Sequence, residues 1–282
     1  MFDLVFAPEL ARARRPSKRQ RWPIAAALGL LLASCITASP AQGDLTARAS
    51  TGDLFARPDP TPRTLSPARG YVQLKDGTKA VVFVPASYRP DHPAALALLL
   101  HGAGGRGGDM VQLFRRQAEA RGIILLAPDS NGASWDVVLS FDAGRASGAR
   151  PQFGADVGRI DTALARVFAD YAVDPAKIAV IGVSDGAGYA LALGGNNAGL
   201  LRNIIALSPG FMMPIHNPAR SRVFLAHGRE DRMLSASVTS SEFAPALKGL
   251  GFDVTLLLYT GGHEWPASVI NQALDWYLPP AR

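Results

Sequence analysis

The sequence predicts an α/β protein with a mostly parallel, doubly wound sheet of about eight strands, helices on both faces and a minimal cap. Two observations carry this prediction. Uninterrupted apolar runs with the length of strands alternate with longer amphipathic segments with the period of helices. A composition of 48% hydrophobic and 18% charged residues over 282 residues is also sufficient for one substantial core. We therefore expect a single folded domain, from residue 70 to residue 282.

The N-terminal segment does not fit that domain. Six Lys and Arg residues precede an apolar run from Ile24 to Ala33, which is too short for a permanent membrane span and typical of a signal peptide, predicted over residues 1–34. The run ends L-L-A-S-C, which resembles the lipobox of bacterial lipoproteins, and Cys35 is the only cysteine in the chain. We expect lipidation of Cys35, export and attachment to a membrane of the bacterial cell envelope. Secretion is the alternative if the lipobox is not used.

Two further features follow from composition. Residues 36–69 are rich in Ala, Thr, Pro, Arg and Ser without helical or strand period, so residues 35–69 are predicted to be a disordered tether. Most of the net charge of +6 belongs to the leader, and the remainder has no basic stripe with interleaved aromatic residues. We expect no nucleic-acid partner, and the sequence leaves the oligomeric state open.

The elements of the domain can be assigned in order. A hairpin around K-D-G-T opens it, and strands and helices then alternate. The predicted strands are Tyr71–Leu74, Ala80–Val84, Ala95–Leu100, Ile123–Ala127, Ile178–Val183, Ile204–Leu207, Val223–Ala226 and Val254–Tyr259. The predicted helices are Asp109–Arg121, Asp156–Tyr171, a helix ending at Gly194 and Gly195, Ser235–Leu250 and Ala267–Leu278. Ligand and catalytic sites of such sheets lie at the carboxyl ends of the strands.

A very tight turn joins the fifth strand to its helix and carries Ser184 at its apex, in G-V-S-D-G. The chain can turn this sharply only if small residues lie two positions before and after the serine, which Gly182 and Gly186 provide. The serine oxygen would then project from the sheet edge. The amide of Asp185, at the positive end of the helix, would face an oxyanion formed there.

Other strand ends supply the partners that a serine nucleophile needs. In chain order they are Ser184, Asp231 in H-G-R-E-D and His263 in G-G-H-E-W-P. A base must remove the serine proton, and a carboxylate must orient the base. Other candidates remain, Glu230 or Asp129 for the acid and His101 or His227 for the base. We interpret the two histidines as loop-ordering residues.

The motifs resemble those of the α/β-hydrolases, and more narrowly those of bacterial phospholipase/carboxylesterase and polyhydroxybutyrate-depolymerase-like esterases. The similar stretches run from about Tyr71 to the C-terminus and include L-L-L-H-G-A-G-G, P-D-S-N-G-A-S-W-D, S-P-G-F and A-H-G-R-E-D-R-M. The resemblance implies a single α/β-hydrolase domain with Ser184 as nucleophile, Asp231 as acid and His263 as base. It also implies an oxyanion hole from the amides of Ala103 and Asp185. Many relatives have Gln where this chain has Asp185, so we expect that side chain to point away, capping or solvated.

The resemblance implies a serine esterase. Only two loops, Ser130–Phe153 and Pro209–Arg222, are long enough to roof the site, and neither has the pattern of a long amphipathic helix, so we expect an open cleft that takes short to medium acyl esters. The acyl and alcohol groups are left open, and polyester, feruloyl ester and lysophospholipid remain candidates. Three residues in loops at the catalytic edge either line a substrate pocket or belong to the core, namely Trp135, Phe211 and Met212.

Two functions of other classes explain the sequence less well. Gly102–Gly107 reads G-A-G-G-R-G and fits the dinucleotide-binding pattern, but an NAD-dependent oxidoreductase would leave Ser184, Asp231 and His263 unexplained. A non-catalytic lipoprotein would not need all three residues. No cluster has metal-ligand spacing, so we expect neither a metal nor another cofactor.

Overall fold

The computed structural model describes residues 51–59, 68–140, 152–213, 215 and 221–279. The predicted signal peptide and Cys35 lie outside these residues, as do parts of the two loops expected to roof the site. No helix in the described segments is long and apolar enough to cross a membrane.

One sheet organises the domain. Its eight strands run in the order β1-β2-β4-β3-β5-β6-β7-β8. The β1–β2 and β2–β4 pairs are antiparallel, and the five other neighbouring pairs are parallel, which confirms the predicted hairpin and mostly parallel sheet. The strands are β1 (Gly70–Gln73), β2 (Val81–Val84), β3 (Ala94–Leu100), β4 (Ile123–Ala127), β5 (Val173–Val183), β6 (Asn203–Leu207), β7 (Arg222–Gly228) and β8 (Asp253–Tyr259).

Helices cover both faces of this sheet. They are α1 (Gly107–Arg121), α2 (Ala155–Asp170), α3 (Asp185–Asn196), the short α4 (Ala236–Val238), α5 (Ala244–Gly249) and α6 (Ala267–Tyr277). A π-helical turn, Thr239–Phe243, joins α4 to α5, so the helix expected over Ser235–Leu250 is interrupted. Pro245, at the start of α5, lacks the amide hydrogen that a regular helix would use there.

The two cores follow from the alternation of side chains along the strands. In β3, Leu96, Leu98 and Leu100 pack into one core with α2 and α3. Ala97 and Leu99 point the other way and pack with α1 and α6. Because both faces of the central strands are buried, these strands carry no polar alternation, which is why they read as continuous apolar runs.

Helix α3 extends one residue past the two glycines that were expected to end it. The physical reason is that neighbouring side chains pack closely against the helix at both glycines. A β-carbon at Gly194 would lie 2.6 Å from Ile204, and one at Gly195 would lie 2.6 Å from Ile215. These glycines allow a close approach inside the helix and do not act as its stop signal.

Part of the predicted tether packs against the domain, which corrects the expected boundary at residue 70. In the segment 51–59, which we call the strap, Leu54 is 2% exposed and belongs to the core on the α2 and α3 face. The Leu54 amide donates to Asn197 Oδ1 (2.8 Å), and the Asn197 amide nitrogen donates to the Gly52 carbonyl (2.7 Å). Asp161 accepts the amides of Phe55 and Ala56. The strap lacks secondary-structure period because side chains of the domain satisfy its backbone.

Candidate active site

The serine turn, Gly182–Gly186, has the geometry that its glycines predict. Ser184 has φ 54° and ψ −122°, a backbone conformation that non-glycine residues rarely adopt. A β-carbon at Gly182 would lie 1.9 Å from the Gly186 carbonyl oxygen, and one at Gly186 would lie 2.2 Å from the Leu100 carbonyl oxygen. The turn therefore requires glycine at both positions, and it holds Ser184 half-buried at the carboxyl edge of the sheet.

Asp231 lies in the loop after β7, and its side chain is fully buried. The amides of Met233 and Leu234 both donate to its Oδ1 at 2.9 Å. Burial opposes ionisation, but the Leu234 amide, His263 and the Met233 amide together hold the pKa of Asp231 below its ordinary value. The residue is thus an anion at neutral pH.

His263 lies in the loop after β8 and joins the other two residues. Its Nδ1 is 2.6 Å from Asp231 Oδ2, and its Nε2 is 3.0 Å from Ser184 Oγ. The loop can reach this position because Gly228 has no side chain: a β-carbon there would lie 2.3 Å from the Gly262 carbonyl oxygen. Since Asp231 is anionic, Nδ1 carries the hydrogen and Nε2 is left to accept the serine proton.

The structure therefore brings together the three residues predicted from chain order. The competing acids lie elsewhere. Glu230 is exposed, with its backbone amide bonded to the Gly261 carbonyl. Asp129 accepts the Gly107 amide at 2.8 Å and pairs with Arg106 at 3.4 Å.

The residues predicted to form the oxyanion hole lie beside Ser184. A β-carbon at Gly102 would lie 3.1 Å from the Ser184 β-carbon, so the loop carrying Ala103 passes next to the serine. Asp185 is the first residue of α3. Ser134 donates a hydrogen bond of 2.6 Å to Asp185 Oδ2, which ties that carboxylate to the loop after β4. Gly102, the first residue of the glycine-rich stretch that resembles a dinucleotide motif, thus lies next to Ser184.

His101 has the loop-ordering contacts that the sequence suggested. Its Nε2 accepts the Ser130 amide (3.0 Å), so its Nδ1 carries the hydrogen that faces the Gly102 carbonyl (2.8 Å). Both ring nitrogens are thereby engaged with the backbone of neighbouring loops.

Of the two roles open to Trp135, Phe211 and Met212, the structure assigns the first two to the core, which corrects their proposed role as pocket residues. Trp135 is 0% exposed, and its indole nitrogen donates to the His101 carbonyl (2.8 Å). Phe211 is 4% exposed, with its ring against Gly188. Met212 alone is partly exposed, and it also packs against the core. The first two are core residues because the loops that carry them fold inward over α3.

Two surface cavities lie beside this edge of the sheet. One of about 240 Å³ is lined by Gly104, Arg106, Asn131 and their neighbours, and one of about 460 Å³ by Asp76, Lys79, Arg159 and their neighbours. Neither is lined by Ser184, Asp231 or His263. Within the described residues, no group of three or more His, Cys, Asp or Glu side chains is placed to hold a metal ion.

Comparison with solved structures finds many chains of the same fold. Esterase PE8 is 24% identical, with a TM-score of 0.54, and the match covers 69% of this chain and 95% of that one. The Bacillus cereus carboxylesterase is 22% identical, with a TM-score of 0.55 and coverage of 72% and 94%. A phospholipase/carboxylesterase from Dyadobacter fermentans is 17% identical, with a TM-score of 0.55 and coverage of 76% and 100%.

These similarities confirm the predicted α/β-hydrolase fold, and at such identities they concern the fold alone. Comparison with protein-family models finds no match, and comparison with curated proteins finds none either.

Some contacts at the site could not be predicted from the sequence. His227 was expected to order a loop, yet its Nε2 lies 3.1 Å from Asp231 Oδ2. The only signal in the sequence was its place in H-G-R-E-D at the same strand end as Asp231. The contact between Ser134 and Asp185 had no signal at all, because it joins a loop to the start of a helix 51 residues away in the chain.

Proposed function

We propose that this protein is a serine carboxylic ester hydrolase that acts through Ser184, His263 and Asp231. The observation that carries the proposal is the unbroken chain of hydrogen bonds from Ser184 Oγ through the His263 ring to Asp231 Oδ2, at 3.0 and 2.6 Å. The fold shared with proteins named esterase and carboxylesterase supports it.

In the proposed reaction, Ser184 Oγ attacks the carbonyl carbon of the ester while its proton passes to His263 Nε2. The carbonyl π electrons move to oxygen, and the amides of Ala103 and Asp185 would stabilise that oxyanion. When the tetrahedral intermediate collapses, the alcohol leaves with the proton from His263, and the acyl group stays on Ser184. A water molecule then attacks the acyl carbon while its proton passes to His263 Nε2. His263 returns that proton to Ser184 Oγ as the bond to the acyl group breaks, and the acid is released.

Replacing Ser184 by Ala tests this function. Because the hydroxyl performs the chemistry and alanine is no larger, Ser184→Ala should lose about 10⁴-fold or more in turnover of a p-nitrophenyl ester. It should remain folded and fail to react with a fluorophosphonate. Ser268→Ala, at an exposed serine in α6, is the matched control and should keep both activities. Near-normal turnover by folded Ser184→Ala would refute the assignment, and the absence of fluorophosphonate labelling in the wild type would favour a non-catalytic protein.

We propose short to medium acyl esters as substrates, without activation at an oil surface. The sequence supports this, because the loops expected to roof the site contain prolines, glycines and arginines and no long amphipathic helix. Rates measured against acyl length and through the solubility limit of the ester test it. Polyhydroxybutyrate and a feruloyl ester belong in the same panel. A sharp rise in rate at the solubility limit, with long chains preferred, would contradict the proposal.

We also propose that Cys35 anchors the enzyme to a membrane of the cell envelope, a proposal that rests on sequence alone. Metabolic labelling with a fatty acid should mark the wild type. Cys35→Ser should remove the label and release the protein into the soluble fraction or block its processing. If the wild type is not labelled, the lipid anchor is refuted and secretion is the remaining alternative.

A further inference from the structure

One carboxylate oxygen of Asp231 contacts two histidine rings. Its Oδ2 is 2.6 Å from His263 Nδ1 and 3.1 Å from His227 Nε2, while Oδ1 accepts the two amides of Met233 and Leu234. The Asp231 side chain is fully buried, so these contacts define its surroundings. The hydrogen bond that orients His263 therefore shares its acceptor atom with a second imidazole.

The hydrogens on His227 follow from its partners. Its Nε2 lies 3.0 Å from the Leu234 carbonyl, which can only accept, so Nε2 carries a hydrogen. Its Nδ1 lies 2.8 Å from Thr239 Oγ1, a hydroxyl that can donate to it. The neutral ring with its hydrogen on Nε2 thus satisfies every contact.

The environment favours that neutral form. His227 is 0% exposed, and burial lowers its pKa below the ordinary value although the Asp231 carboxylate acts in the opposite direction. The ionisable groups of the described residues whose charge acts on His227 are Asp231 and His263. His227 is therefore a neutral donor to Asp231 at neutral pH. It differs in this from His263, whose Nε2 faces Ser184.

We propose that His227 is a positioning residue of the active site that acts through Asp231, an inference that rests on the proposed function. Its Nε2–H holds Oδ2 in the orientation that meets His263. By occupying part of the same oxygen, it also makes that oxygen a weaker acceptor for His263. The first effect favours the correct alignment of the base. The second limits how strongly Asp231 supports the positive charge that forms on His263 during the reaction.

The test compares three variants by kcat and KM for a soluble p-nitrophenyl ester from pH 5 to 9. His227→Leu keeps bulk and removes the donor, whereas the amide of His227→Gln can restore a donor near the Nε2 position. Thr239→Val is the control, because it removes the other partner of the ring and leaves Asp231 untouched. Thermal unfolding midpoints for each variant separate effects on folding from effects on the reaction.

We expect His227→Leu to lose about tenfold in kcat with little change in KM, and the midpoint of the acidic limb to move up by about 0.5 pH unit. The upward direction follows because an unshared Oδ2 would stabilise the protonated His263 more strongly. His227→Gln should bring the midpoint back to that of the wild type and recover most of kcat. Thr239→Val should lower the unfolding temperature and leave the midpoint in place. If the Leu and Gln variants lose the same rate and the midpoint of neither moves, His227 is only structural and the proposal is wrong.

A second measurement uses the wild-type protein, so it depends neither on the folding of a variant nor on activity. The ¹⁵N chemical shifts of the His227 ring in the wild type at pH 7 should show hydrogen on Nε2 and none on Nδ1. A ring with hydrogen on Nδ1, or on both nitrogens, would overturn the proposal. If the tautomer is as expected but Ser184→Ala remains active, the proposed function is wrong, whereas the arrangement of hydrogen bonds around His227 is still supported.

Discussion

At the scale of single residues, the choice between neighbouring carboxylates at the end of β7 depends on burial. Asp231 has a fully buried side chain and contacts His263, whereas Glu230 is exposed. A carboxylate can stabilise the imidazolium strongly only where water does not compete. Chain order alone had left both residues open.

We therefore expect Asp231→Asn to lose on the order of 10⁴-fold in kcat, because an amide no longer holds His263 in the tautomer that accepts the serine proton. Glu230→Gln is the matched control one residue away and should remain near the wild-type rate. Steady-state kinetics on a p-nitrophenyl ester measures both. If Asp231→Asn keeps its activity and Glu230→Gln is inactive, the acid is Glu230 and our assignment of Asp231 is wrong.

The carboxyl group of Asp136 affects the stability of the protein and not the proposed reaction. Burial, with the charge of Asp156, raises the pKa of Asp136 from 3.8 to about 6, against the pull of backbone amides that donate to it. The folded protein therefore binds this proton more tightly than the unfolded chain does. The stability that the proton confers is present below pH 3.8 and is lost as the pH rises through 6.

Asp136→Asn should thus become more stable relative to the wild type as the pH rises from 4 to 7, by at most about 3 kcal/mol. The loss of one acceptor oxygen for the backbone amides that donate to Asp136 is a constant cost that does not change with pH. Free energies of unfolding from urea titrations across this range measure the difference. Asp253→Asn, at an exposed position, controls for the loss of one charge. A difference between Asp136→Asn and wild type that is the same at pH 4 and pH 7 would contradict the prediction.

At the scale of elements, the junction between β5 and α3 determines where Ser184 lies. The turn packs so closely on the end of β3 that a β-carbon at Gly186 would meet two backbone oxygens, those of Leu100 at 2.2 Å and His101 at 2.5 Å. Backbone atoms cannot move aside as a flexible side chain can. The helix, the strand and the serine would have to shift together.

Gly186→Ala should accordingly destabilise the protein by about 3 kcal/mol or more and reduce turnover through misplacement of Ser184. Gly158→Ala is the matched control in an exposed part of α2, where a β-carbon would meet nothing within 4 Å. That change should stabilise the protein by about 0.5–1 kcal/mol. Urea unfolding of the two variants tests the contrast, and equal effects would show that the turn tolerates a side chain.

At the scale of the whole molecule, the strap packs against residues of the domain that are far from it in the chain. Its contacts with Asn197 connect residues 143 and 145 positions apart. Asn197 Nδ2 also donates to the Leu193 carbonyl of α3 at 2.8 Å, so this one side chain links the strap to that helix.

Leu54→Ala should lower the free energy of unfolding by about 2 kcal/mol, because it empties a buried position in the core. Phe55→Ala, at a residue 50% exposed, should cost less than about 1 kcal/mol although its side chain is larger. Esterase rates of both should match the wild type where both are folded. If Leu54→Ala is as stable as the wild type, the strap does not contribute to the core.

The sequence by itself determined the local features. Strands buried on both faces must be continuously apolar, and a tight strand-to-helix turn must be flanked by glycine, so the sheet, its helices and the serine turn could all be predicted. The chain order of Ser184, Asp231 and His263 was likewise visible, because the end of a parallel strand marks the catalytic edge.

Only the tertiary structure decided which side chains meet. Ser184 and His263 are 79 residues apart in the chain, and His263 and Asp231 are 32 apart. The burial of Trp135, the packing of the strap and the second imidazole on Asp231 depend on how separate loops fold over the sheet. A pattern in the sequence records the period and propensity of one segment, whereas these contacts arise from the distance between segments, which the pattern does not contain.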